Sequence, residues 1–128
     1  RNELASLPAG LGSCVALRVL DLADNHLSTL PSSLGELRAL EMLALRRNNL
    51  VALPDTLGAL CGLQVLDLSE NRLAAWPEHL GRLEALRELD LAQNGLVSLP
   101  ETFGAHLRAL EALSLARNGL RALPDGLC

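Results

Sequence analysis

Six prolines recur along the chain at a nearly constant spacing, and this regularity constrains the fold more than any other feature. The separations between successive prolines are 23, 23, 23, 23 and 24 residues. Because proline fixes φ and lacks an amide hydrogen, a regular series of prolines indicates a backbone geometry that repeats. The sequence therefore predicts one structural unit used many times. The prolines are Pro8, Pro31, Pro54, Pro77, Pro100 and Pro124.

Leucine and asparagine follow the same period. Leucine supplies 35 of the 128 residues, whereas the chain has one Phe, one Trp, no Tyr and no Ile. Compact domains usually mix side-chain shapes to fill their cores, so this excess favours a fold that needs leucine at the same place in each unit. The leucines that open the units are Leu17, Leu40, Leu63, Leu86 and Leu110. The asparagines in register are Asn25, Asn48, Asn71, Asn94 and Asn118, preceded by Asn2.

Each unit contains two different periodicities. In the first half, Leu20 and Leu22 alternate with other residues, which predicts a short strand. In the second half, Leu34, Leu37 and Leu40 recur every three residues, which favours a 3₁₀ turn over a long α-helix. Neither element can bury its leucines alone, so the units are expected to stack into a solenoid.

The unit that starts at Leu17 reads LRVLDLADNHLSTLPSSLGELRA. Its pattern, LxxLxLxxNxL followed by LPxxL, resembles the leucine-rich repeat. More narrowly, it is similar to the 23-residue LPxxL subclass found in intracellular scaffold proteins of the Ras pathway and of cell polarity. The resemblance implies an α/β solenoid with a parallel β-sheet on the concave side and short 3₁₀ or α turns on the convex side. It covers residues 1–128 as a single domain of about five and a half repeats.

Both ends of the sequence fall inside a unit, and neither has the polar cap that terminal repeats need. We therefore expect the chain to be an excerpt from a longer protein.

Composition and motifs argue against several classes of function. No apolar run reaches the roughly 20 residues of a membrane span, and no signal peptide is present. The net charge of -4 disfavours nucleic acid as a partner. No catalytic arrangement, phosphate-binding loop or metal-ligand spacing occurs, so we expect no enzymatic activity, cofactor, metal or small-molecule substrate. Three scattered cysteines and no Asn-x-Ser/Thr site favour a cytoplasmic location.

Several conspicuous residues have a structural interpretation. The asparagine column is expected to bond backbone groups of its own unit and of the next one. Cys14 aligns with core leucines and is predicted to be buried. Trp76 and Phe103 replace core leucines and are expected in the core rather than in a binding site. In the fourth unit, which is one residue longer, Phe103 and Leu107 have the spacing of an α-helical turn.

Function is expected at the outward positions of the strands and of the turns that follow them. There the sequence has an acidic column and, in the second unit, a basic pair formed by Arg46 and Arg47. The predicted partner-binding residues are Asp21, Asp24, His26, Met42, Arg46, Arg47, Asp67, Glu70, Arg72, Glu88, Asp90, Gln93 and Arg117.

Three functions remain open from the sequence. The first is an intracellular scaffold or adaptor that binds a partner protein through the concave face. The second is an architectural subunit of a large assembly, such as a cytoskeletal or ciliary complex, held through convex surfaces near His79 or His106. The third is the recognition domain of a larger signalling enzyme.

Overall fold

The computed structural model describes residues 2–125, which form a stack of units with a parallel sheet along one side. The five strands lie side by side in chain order, each paired in parallel with the next. This confirms the predicted solenoid. The strands are β1 (Val19–Asp21), β2 (Met42–Ala44), β3 (Val65–Asp67), β4 (Glu88–Asp90) and β5 (Ala112–Ser114).

The strands pair so that equivalent positions of successive units face each other. Leu43 of β2 lies between Leu20 and Leu66 of the neighbouring strands, and all three point into the core. Leu43 and Leu66 are almost fully buried. Each buried leucine stabilises the stack by roughly 1.5–3 kcal/mol, which accounts for the leucine excess without any function.

The prolines begin the 3₁₀ helices on the side opposite the sheet. Four of them have an extended ψ, and their carbonyls accept the first hydrogen bond of the following turn, as in Leu57 N–H to Pro54 O at 3.0 Å. They are Pro8, Pro31, Pro54 and Pro77. Leucines such as Leu34 and Leu37 enter the core from this side. The predicted 3₁₀ turns are therefore confirmed. They span Ala9–Ser13, Ser32–Glu36, Asp55–Ala59 and Glu78–Arg82.

Trp76 and Phe103 lie in the core, as the sequence predicts. Their side chains are 7% and 1% exposed, and their rings meet edge to face with centroids 4.6 Å apart. Both aromatic residues occupy leucine slots of successive units and pack against each other there.

Successive 3₁₀ helices approach closely at a column of glycines. A Cβ on Gly58 would lie 2.5 Å from the carbonyl oxygen of His79 in the next unit, and a Cβ on Gly12 would clash similarly with Ser33. These glycines have negative φ, so their role is to allow the close approach. Gly81 differs, because a Cβ there would meet nothing within 4 Å.

The longer fourth unit contains turns, so the α-helical spacing of Phe103 and Leu107 does not form a helix there. Phe103 N–H bonds to Pro100 O and Ala105 N–H bonds to Thr102 O, both at 3.0 Å, and both bonds join residues three apart. The extra residue therefore lies in an enlarged loop. His106 is exposed in this loop.

The expectation that Cys14 is buried is also wrong. Its side chain is exposed, because among residues 2–125 only the following unit packs against the unit that contains Cys14. Cys61 is exposed as well. The third cysteine, Cys128, lies outside the described residues.

Hydroxyl groups link the 3₁₀ helices of the first units, and His79 interrupts the series. Ser33 Oγ and Thr56 Oγ1 each donate a 2.6 Å hydrogen bond to a backbone carbonyl of the preceding unit. His79 occupies the equivalent position in the third unit. Its Nδ1 lies 3.3 Å from Asp55 Oδ1, while its Nε2 is buried with no hydrogen-bond partner among the described residues.

Candidate protein-binding surface

The outward positions of the five strands form two rows that we call the sheet face. Because the strands pair in register, equivalent side chains lie side by side, about 4.8 Å from one strand to the next. The first row is Val19, Met42, Val65, Glu88 and Ala112. The second row is Asp21, Ala44, Asp67, Asp90 and Ser114.

The first row begins with three apolar side chains. Val19 is 56% exposed and Met42 is 39% exposed, although Leu43 on the other side of β2 is buried and Leu20 on the other side of β1 is partly buried. Val65 continues the row and is partly exposed. Apolar side chains in contact with solvent along one row give the sheet face an apolar strip.

The carboxylates of the second row have a local structural role. Asp67 Oδ1 accepts hydrogen bonds from the Ser69 amide at 2.9 Å and from Ser69 Oγ at 2.6 Å. Asp90 and Asp21 each accept one bond from the amide two residues further on. One oxygen of each carboxylate thus closes the turn after the strand, and the described chain supplies no donor to the other oxygen.

A groove of about 290 Å³ lies on the sheet face across β3, β4 and β5. Asp67, Glu88 and Asp90 line it, and the short side chains of Ala112 and Ser114 leave space on its far side. The structure thus brings three predicted binding residues together.

The rim beyond the strands has a cluster of opposite charges. Glu70 accepts bonds from Arg46 Nη2 at 2.6 Å and Arg47 Nε at 2.9 Å, and Arg47 Nη1 lies 3.6 Å from Asp24. The bonds from Arg47 and Arg46 lower the pKa of Glu70 below its ordinary value, and the same contact raises the pKa of Arg47. The predicted basic pair is therefore largely neutralised by its own neighbours.

A second groove, of about 650 Å³, runs along this rim. It brings together four predicted binding residues, which are Asp24, His26, Arg47 and Glu70. Other predicted residues are more scattered. Arg72, Gln93 and Arg117 are exposed, and their side chains make no hydrogen bond or ion pair with another described residue.

The residue before each asparagine from Asn25 to Asn118 in the repeat register has a left-handed backbone. The five residues are Asp24, Arg47, Glu70, Gln93 and Arg117, with φ between 53 and 57°. All five are predicted binding residues, and sequence reasoning missed their conformation because none is glycine or asparagine.

Ion pairs also flank the start of the strands. Arg18 bonds to Glu41 at 2.7 Å, and Arg87 bonds to Glu111 at 3.0 Å. Both pairs join equivalent positions of adjacent units. These pairs were not predicted from the sequence, although opposite charges one repeat apart are a signal for them.

The asparagine column forms a hydrogen-bonded ladder, but it joins each unit to the preceding one. Asn48 Nδ2 donates to Leu22 O and Leu45 O at 3.0 Å, and its Oδ1 accepts from Leu27 N–H at 2.9 Å. The expectation of bonds to the next unit is wrong in direction. The reason is that the turn after the asparagine runs alongside the turn of the unit before. Asn71, Asn94 and Asn118 make equivalent hydrogen bonds. Asn25 differs, because its only hydrogen bond to the preceding unit is the one that its Oδ1 accepts from Leu4 N–H, while its Nδ2 donates within its own unit.

Residues 2–125 contain neither a candidate metal site nor a helix suited to cross a membrane. No group of three or more His, Cys, Asp or Glu side chains there could hold a metal ion. No helix in the same range has the length and apolar character needed to span a bilayer.

Comparison with family models identifies the repeat. The model of the leucine-rich repeat region matches residues 5–90, and a leucine-rich repeat model matches residues 85–106. The chain belongs to the leucine-rich repeat family. A search of curated proteins found no significant match.

Solved structures of leucine-rich repeat proteins share the fold. A leucine-rich repeat protein of Leptospira interrogans is 35% identical over 98% of this chain, with a TM-score of 0.94. The Arabidopsis receptor kinase HAESA, solved with a peptide hormone and a co-receptor, is 35% identical over 94% of this chain, with a TM-score of 0.81. An internalin of Listeria monocytogenes, 23% identical over 95% with a TM-score of 0.82, shares the fold.

The chain spans 33%, 21% and 36% of the length of these three proteins, respectively. Leucine-rich repeat domains generally mediate protein–protein interaction and are typically not catalytic. Protein binding is thus the general function of the family. The sheet face and the rim are the candidate surfaces for binding a partner protein.

Proposed function

We propose that this leucine-rich repeat is an intracellular scaffold or adaptor module of the LPxxL subclass that binds a partner protein on its sheet face. The observation that carries the proposal is the exposed apolar strip of Val19, Met42 and Val65 beside the groove at Glu88. Protein interfaces combine an apolar centre with a polar surround, and this face offers both. Nucleic acid and small molecules are not proposed as partners.

Two features bear on location and on the larger protein. The exposed free thiols of Cys14 and Cys61 suit a reducing compartment, so we propose a cytoplasmic location for the chain. The similarity to the receptor kinase HAESA favours a second candidate, in which the repeat is the recognition part of a longer signalling enzyme. In both cases residues 1–128 act as one repeat domain within a longer chain.

Site-specific cross-linking tests which surface binds. A photo-reactive residue is placed at Met42 on the sheet face or at Glu78 on the opposite 3₁₀ side, in cells that express the protein. We expect the same partner protein to be recovered repeatedly from the Met42 probe and not from the Glu78 probe. Recovery from Glu78 alone would instead support the architectural function, and recovery from neither would count against a protein-binding module.

A further inference from the structure

The sheet face has more carboxylates than its own basic residues neutralise. No basic side chain among residues 2–125 lies within 4.0 Å of Asp21, Asp67, Glu88 or Asp90. Four arginines at the two ends of the strands are paired with glutamates and are not available to these carboxylates. They are Arg18, Arg46, Arg47 and Arg87. The middle of the sheet face is therefore negative.

Three of these carboxylates surround the 290 Å³ groove. Asp67 and Asp90 are register partners on adjacent strands, and Glu88 lies on the same face two residues before Asp90. Ala112 and Ser114 pair with Glu88 and Asp90 and are too short to fill the space. The groove thus has room for a side chain supplied from outside.

The apolar strip lies directly beside the groove. Val65 pairs with Glu88 across β3 and β4, and Met42 and Val19 follow on the next two strands. From Met42 to the centre of the groove is two to three strand spacings, or about 10–14 Å. One short segment of a partner can therefore contact both.

Taken together, these features define the chemistry of the occupant. We propose that the sheet face binds a protein segment that places a lysine or arginine in the groove and an apolar side chain on Met42 and Val19. The proposal rests on the proposed protein-binding function and adds the chemical class of the partner. Charge complementarity selects a cationic segment, and the apolar strip supplies contact area that a bare cation would not use.

A metal ion is not the proposed occupant. The carboxylates do not form a group able to hold a metal within residues 2–125. Guanidinium and ammonium groups, in contrast, can bridge separated carboxylates at hydrogen-bond distance on a partly exposed surface.

Selection from a library of random 12-residue peptides displayed on phage tests the proposal, with the purified chain as bait. We expect enriched peptides to combine Lys or Arg with a large apolar residue. The affinity of the most enriched peptide is then measured for the wild type and for the triple variant Asp67→Asn, Glu88→Gln, Asp90→Asn. Asparagine at positions 67 and 90 keeps a side-chain oxygen that can accept the hydrogen bonds from the Ser69 and Ala92 amides. The variant therefore removes the negative charges and preserves the turns after the strands.

The triple variant should bind the peptide about tenfold more weakly, because each exposed charge pair contributes roughly a factor of two. A matched control removes the same charge from three exposed positions outside the sheet face and should bind the peptide like the wild type. It carries Glu36→Gln, Glu84→Gln and Glu101→Gln. Met42→Ser should weaken binding severalfold through loss of the apolar contact.

Several outcomes would overturn the inference. Enriched peptides without an excess of basic residues would refute the cationic partner, as would equal affinities of the two triple variants. Absence of any binding peptide would refute it as well. Cross-linking from Met42 tests binding of any protein partner, whatever its charge. Failure of this inference is therefore distinguishable from failure of the proposed function.

Discussion

At the scale of single residues, the side chains predicted to bind a partner are partly engaged in holding the repeat together. The five rim residues with φ between 53 and 57° each adopt a conformation that costs about 1–2 kcal/mol for a residue with a Cβ. Backbone bonds to the next unit, such as Glu70 N–H to Ala92 O at 2.9 Å, hold that conformation. The packing of adjacent units consequently fixes the direction in which these side chains leave the backbone.

His79 gives a prediction about pH. Burial lowers the pKa of His79 below its ordinary value; Arg82 acts in the same direction, and Asp55 opposes it. Because the unfolded chain then binds the proton more readily than the folded chain, stability is full above pH 6.5, the ordinary pKa, and falls as the pH drops below it. Urea unfolding between pH 5 and pH 8 measures this dependence, with His79→Thr as the comparison.

The His79→Thr variant supplies the control, because Thr56 at the equivalent position bonds to the backbone of the preceding unit at 2.6 Å. We expect the variant to be more stable than the wild type at pH 5 and to lose most of the pH dependence between pH 5 and 7. An unchanged slope in the variant would mean that another group titrates.

At the scale of elements, the packing of one 3₁₀ helix on the next depends on the length of the following unit. A Cβ on Gly58 would lie 2.5 Å from the carbonyl oxygen of His79, whereas a Cβ on Gly81, before the longer fourth unit, would meet nothing within 4 Å. The same residue in the same slot therefore has two different environments.

Alanine substitutions at the two glycines should have opposite effects. Gly58→Ala forces a Cβ against backbone and is expected to destabilise the chain by about 1–3 kcal/mol. Gly81→Ala meets open space in a helix with negative φ and should be neutral or stabilise by about 0.4–1 kcal/mol. Thermal unfolding of both variants measures the difference, and equal losses of stability would contradict the packing described for the fourth unit.

Features that repeat could be predicted from the sequence, and features that depend on a neighbour could not. The prolines and leucines predict the strands and 3₁₀ helices because each acts within its own unit. The burial of Cys14 was predicted wrongly because its environment depends on which units cover it. The direction of the Asn48 bonds and the pairing of Arg47 with Glu70 likewise depend on how units are placed against each other.

At the scale of the whole molecule, stability is distributed over interfaces between adjacent units. Strands β2, β3 and β4 have a neighbouring strand on both sides, and among the described residues β1 and β5 have one on a single side, which agrees with the partial exposure of Leu20 and Leu113 beside the buried Leu66. Loss of one central side chain should therefore affect both neighbours.

Leu66→Ala is predicted to lower the free energy of unfolding by about 2–5 kcal/mol, because it leaves a cavity in the middle of the leucine ladder. Glu70→Ala, four residues away on the exposed rim, should change stability little, since its ion pairs are open to solvent. Hydrogen exchange of β2, β3 and β4 amides measures the difference. Similar protection in the two variants would show that the proposed register is wrong.

The pairing of β4 with β5 has a consequence for how the surface can vary. Glu88 still faces Ala112 although 24 residues separate them instead of 23, so the loop absorbs the extra residue and the sheet stays aligned. Every outward position can thus be given two coordinates, the unit and the row. A substitution on the sheet changes the side chain at one unit and row. An insertion in a loop on the far side leaves the unit and row of every other outward side chain unchanged.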